Sequence, residues 1–143
     1  MSEKNLWGDL SLTEATDMPS GLLRDQGKKL AELTNGEIRG VVVTTPMVTT
    51  DDIGIVEDEP FMLVEFYLRV PGLHDYRHLF LEIHHPPPPA IYPLTVKDVI
   101  NGTFDTCDDE PAFLDILTRR FQSDEVRKVL SGLLTVSRSN ASG

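Results

Sequence analysis

Two glutamates and a histidine recur at alternating positions of two neighbouring strand-like runs. Residues 61–70 (FMLVEFYLRV) and 76–84 (YRHLFLEIH) flank Pro71-Gly72 and read as an antiparallel pair. Strand side chains alternate between faces. With Leu79, Leu81 and Ile83 taken as buried, the other face of the second run carries Tyr76, His78, Phe80, Glu82 and His84. The matching face of the first run carries Phe61, Leu63, Glu65, Tyr67 and Arg69. Glu65, Glu82 and His84 are types that can donate and accept protons, so a hydrolase-type acid/base cluster is one expectation. One register sets Tyr67 opposite Phe80 and Glu65 opposite Glu82, a like-charge pair that costs stability. A shift by two sets Glu65 opposite His84 and Arg69 opposite Phe80, which relieves it.

This mixture of large apolar groups with Glu, His and Arg is unusual for a solvated face, and three readings of it stand. Trp7 of an N-terminal arm, or an acidic loop, covers it as a second small core. It stays open as a partner or self-association surface anchored by Tyr, Phe and Arg. Or it is the catalytic cluster just described.

Other chemistry is scarce. His74 and His78 straddle a turn and a strand, where four residues span about 13 Å. His84 and His85 are adjacent and point to opposite faces of a strand, so no metal site is expected. Cys107 is the single cysteine; it excludes an internal disulfide, and Asp105, Asp108 and Asp109 disfavour its thiolate. No phosphate-binding glycine loop and no Gly-x-Ser-x-Gly elbow occurs, so no cofactor is expected.

Charge narrows the partners. The 143 residues include 23 acids and 13 bases, a net charge of −10. Nucleic acid is disfavoured, because phosphate neutralisation needs clustered Lys and Arg. A membrane span is excluded by the shortness of the apolar runs. The surplus resides in two base-free stretches: Asp51, Asp52, Glu57, Asp58 and Glu59, then Asp105, Asp108, Asp109, Glu110 and Asp115. Such patches serve solubility and helix capping, or steer a basic partner.

The elements that must position these groups follow from periodicity. Residues 1–18 have no sustained period and read as an irregular arm, without the basic start and apolar core of a signal peptide. Pro19 opens a helix with a Leu22, Leu23, Gln26, Leu30, Leu33 stripe, and Asn35-Gly36 stops it. Gly27 within it is either a helix weakness or a close crossing. Strands are expected at 37–45, 61–70, 76–84 and 90–96, with an acidic loop at 46–60 and a stiff proline run at 86–89. Asp108, Asp109 and Glu110 before Pro111 start a helix, and Ser123 caps another. Residues 137–143 read as a polar tail. The fold expected is a single α+β domain over 19–136: a four-stranded antiparallel meander, with one N-terminal and two C-terminal helices mainly on one face.

On Gly21-Leu22-Leu23-Arg24-Asp25-Gln26, Asn35-Gly36-Glu37, Phe66-Tyr67-Leu68-Arg69-Val70-Pro71, Tyr76-Arg77 and Ile91-Tyr92-Pro93-Leu94, the chain resembles a group of small bacterial α+β proteins with no assigned activity. The acidic loop and the Pro86–Pro89 run depart from that group. The resemblance implies a bacterial cytoplasmic origin and carries no catalytic residue across. The leading expectation is a non-enzymatic interaction domain, immunity-like or inhibitory toward a basic partner, or a homodimer through the outer sheet face. Its candidate surface is Phe61, Leu63, Glu65, Tyr67, Arg69, Phe80, Glu82 and His84.

Overall fold

The structure is a computed structural model that describes residues 5–13, 18–49 and 59–142. Residues 50–58 of the expected acidic loop lie outside the described residues. Helix α1 spans Pro19–Leu33, with Pro at its start, where a missing N–H costs nothing. Asn35 and Gly36 follow at φ 53° and 80°, and the Gly36 amide closes onto the Ala31 carbonyl at 2.7 Å. That left-handed stop turns the chain directly into the sheet.

The strands are β1 (Arg39–Thr49), β2 (Glu59–Val70), β3 (Tyr76–His85), β4 (Leu94–Asp98) and β5 (Thr103–Cys107). They form one antiparallel sheet in the order β1-β2-β3-β4-β5. A short 3-10 turn, Pro71–Leu73, joins β2 to β3. Helices α2 (Glu110–Phe121) and α3 (Asp124–Ser142) complete the chain.

The α+β class agrees with the sequence expectation; the strand count does not, since β5 makes five. Thr103 and Asp105 of β5 point inward while Phe104 points outward and is 65% exposed. Its polarity therefore runs opposite to the usual apolar-in pattern. Arg120 of α2 makes the arrangement tolerable by meeting Asp105 at 2.8 Å. Residues 137–142, read as a tail, continue α3: Ser137 is buried, and Asn140 donates to the Gly72 carbonyl at 2.8 Å.

All three helices lie on one face of the sheet. The core joins Leu23 of α1, Phe113 and Leu117 of α2 and Val126 of α3 to Val64, Phe66, Leu68, Leu81, Ile83 and Val96. Gly27 is a close crossing: a Cβ there would lie 2.9 Å from the Gly40 Cα, and one on Gly40 would lie 2.8 Å from the Phe66 ring. Two facing glycines let α1 rest on the backbone of β1. Asp98 is fully buried and accepts from the Asn101 amide at 3.0 Å and its side chain at 2.6 Å. Asn101 reaches Ser123 at 3.0 Å, and the Ser123 hydroxyl caps α3 through the Val126 amide. One polar chain thus ties the β4–β5 turn to the helices.

Candidate functional site

The register of β2 and β3 decides what the outer face contains. Glu65 sits opposite Glu82, so the like-charge register is the one adopted and the relieving shift is not. Beyond that pair the strands slip: Phe66 faces Leu81, whereas Tyr67 faces Leu79, leaving Phe80 as the extra residue of a β-bulge. The bulge reverses the alternation of the first part of β3. Phe80 is therefore not an outer-face residue. It is 3% exposed and packs between Phe66 and Phe121, at centroid distances of 6.1 and 5.5 Å. Tyr76 and His78 turn to the helix side with it, opposite Val70 and Leu68, while Arg77 and Leu79 move to the outer face.

The other seven candidates share that outer face. Along β2 it presents Phe61, Leu63, Glu65, Tyr67 and Arg69; β3 adds Glu82 and His84. Val41, Val43, Thr45 and Met47 of β1 and Lys97 of β4 extend it, none of them named in advance. Alternation along β1 was enough to find Val41 and Val43. For Arg77 and Leu79 no local signal existed, because the bulge lies within the uniformly apolar run Leu79-Phe80-Leu81.

Contacts within the face are specific. The Tyr67 hydroxyl donates to Glu65 Oε2 at 2.8 Å. That hydrogen bond, then desolvation and the charges of Glu65 and Glu82, push the Tyr67 hydroxyl above its ordinary pKa, with Arg77 opposing. His84 stacks on Phe61, centroids 4.9 Å apart at 21°. Arg69 Nε lies 3.7 Å from Asp75 Oδ1. No helix of the described chain covers this face, and the arm does not shield its own apolar groups: Leu6, Trp7 and Leu12 are each more than three-quarters exposed.

The remaining chemistry is quiet. His84 and His85 do point to opposite faces, and among the described residues no group of three His, Cys, Asp or Glu is placed to hold a metal. Cys107 is buried, and burial, then Asp105, Asp108 and Asp109, raise its thiol pKa. A cleft of about 190 Å³ opens on the helix side between α1 and α3, floored by Phe66, Phe80 and Phe121 with Lys29 at its rim. Among the described residues no helix is long and apolar enough to cross a membrane.

The chain matches no protein-family model, no curated protein and no solved structure.

Proposed function

We propose that the chain is a non-enzymatic protein-interaction domain that works through the outer face of its sheet. One observation carries the reading: Phe61, Leu63 and Tyr67 share a helix-free sheet face with the 65% exposed Phe104 and the 37% exposed Met47. Aromatic and aliphatic anchors within a charged rim are how recognition surfaces concentrate binding energy. The catalytic alternative draws less support. Glu65 is engaged by Tyr67 and His84 by Phe61, contacts that hold surface side chains in place rather than aim them at a substrate.

The version with a basic partner now rests on fewer charges. In the second acidic stretch Asp105 meets Arg120, Asp109 caps α2 through the Ala112 amide at 2.9 Å, and Asp115 meets Arg119 at 2.6 Å. Asp108 and Glu110 are left exposed there. An immunity-like or inhibitory role therefore depends on the outer face more than on this edge.

Affinity capture with the wild-type chain, Tyr67→Ala and Leu63→Ser tests the reading. A partner held by the wild type and released by both variants supports it. A partner held equally by all three removes the outer face from recognition. Light scattering across concentration identifies a second copy as the partner if the mass doubles in the wild type and not in the variants.

A further inference from the structure

Arg39 of β1 is the register partner of Arg69 of β2, and Arg69 is the partner of Arg77 of β3. Three arginines therefore leave the same outer face in one line, neighbouring Cβ atoms about 4.5–5.5 Å apart. Like charges set directly opposite each other destabilise a sheet, and this chain has only 13 basic residues to place. Among the described residues the row is barely neutralised. Asp75 approaches Arg69 alone; no acid pairs with Arg77, and Arg39 Nε points to the Gly36 carbonyl at 3.4 Å.

The central guanidinium is also short of an acceptor. Arg69 Nε is shielded from solvent and makes no hydrogen bond, Asp75 being beyond reach at 3.7 Å. That nitrogen is out of a ligand's reach, but a third of the Arg69 side chain is open to solvent, so a ligand can meet the residue there. All three residues are Arg rather than Lys, the side chain whose planar fork matches oxyanions in a bidentate way. The next row along the strands, about 7 Å away, is Val41, Tyr67 and Leu79, an apolar platform. The bulge at Phe80 builds both rows, since in a regular β3 Arg77 and Leu79 face the helices.

We propose that Arg39, Arg69 and Arg77 form an oxyanion site for a phosphate monoester carried on a flat apolar group, of the aryl phosphate type. The dianion sits against the three guanidinium groups, and its carrier lies on the row of Val41, Tyr67 and Leu79. This goes beyond the interaction reading, because the site takes a small ligand whether or not a protein partner exists.

Calorimetric titration of the full chain with phenyl phosphate, inorganic phosphate and a tyrosine-phosphorylated peptide tests it. Phenyl phosphate is expected to bind about tenfold more tightly than inorganic phosphate, the ring adding apolar burial. Arg77→Gln and Arg69→Gln are each expected to weaken phenyl phosphate at least about tenfold. Arg77 is exposed, so its variant carries the test if Arg69→Gln does not fold. A phosphopeptide tighter than phenyl phosphate, with the unphosphorylated peptide silent, assigns the group to a protein; a weaker one assigns it to a small molecule. No binding by either phosphate at low ionic strength, or binding unchanged in both variants, overturns the site. Equal affinity for the two small phosphates overturns the apolar half. A negative result here leaves the capture experiment untouched, so the two readings fail separately.

Discussion

The two faces of this sheet treat polar groups in opposite ways. On the helix side Asp98 is fully buried, yet both of its oxygens accept hydrogen bonds from Asn101, which in turn reaches the cap of α3. Asp105 and Arg120 neutralise each other there at 2.8 Å. On the outer side Glu65 faces Glu82, and Arg69 stands between Arg39 and Arg77. Burial raises the cost of an unpaired charge, so the covered face gives its charged groups partners, although Thr103 Oγ1 and Arg120 Nε there make no hydrogen bond. Solvent screens the open face, so conflicts can persist there and be resolved by whatever binds. Like-charge neighbours are thus confined to the open face, while the charges of the covered face are paired or hydrogen-bonded.

Neighbouring residues of β2 give the sharpest way to break this comparison. Phe66 and Tyr67 point to opposite faces. Phe66→Ala is expected to cost about 3–5 kcal/mol in urea unfolding, from lost burial and a cavity beside Phe80 and Phe121. Tyr67→Ala is expected to cost about 1 kcal/mol or less, since it removes one surface hydrogen bond. Equal losses would mean that the outer face is a second core.

Glycines sharpen it next. Gly40→Ala forces a methyl to 2.5 Å from the Gly27 Cα, and about 1–3 kcal/mol of destabilisation is expected. Gly132→Ala, in α3 with nothing within 4 Å, is expected to gain up to about 1 kcal/mol. The same substitution with opposite signs, read from melting temperatures, separates packed backbone from open backbone.

His85 tests the covered face by pH. It is 4% exposed, and burial lowers its pKa below 6.5, partly offset by its Nδ1–H donating to the Pro86 carbonyl at 2.7 Å. The unfolded chain then binds the proton more readily, so this contribution is complete above about pH 6.5 and is lost as pH falls toward the folded value. Denaturant midpoints between pH 5 and 7 are expected to fall on acidification, less so in His85→Gln. His84, on the open face, is the control, and an equal change in slope for His84→Gln breaks the distinction. The smallest effect belongs to Glu82→Gln. Glu82 stands opposite both Glu65 and Lys97, so the substitution removes one repulsion and one attraction, and a change within about 0.5 kcal/mol is expected, smaller still in high salt.

Much of the architecture was legible because its signals are local. Pro19, the Leu23 stripe and Asn35-Gly36 bound α1 where the structure has it, and Asp109 with Pro111 marks the start of α2. The β2–β3 hairpin was visible from Pro71-Gly72 between two apolar runs. What escaped depends on distant partners. The inward Asp105 of β5 makes sense only with Arg120, fifteen residues later. The last turns of α3 are held by Gly72, sixty-eight residues away in sequence. Seven of the eight candidate site residues lie on one face, but the eighth, Phe80, was misplaced by a bulge that an unbroken apolar run conceals.

The sequence by itself determined the class of fold, the bounds of α1 and the start of α2, and the confinement of surplus charge to two stretches. Those properties follow from backbone preferences and periodicity, which act over a few residues. Only the tertiary structure decided which residues stand side by side on the open face. Register is a property of paired strands, and a single extra residue at Phe80 exchanges every side chain before it between the two faces. That exchange carried Phe80 into the core and brought Arg77 into line with Arg39 and Arg69.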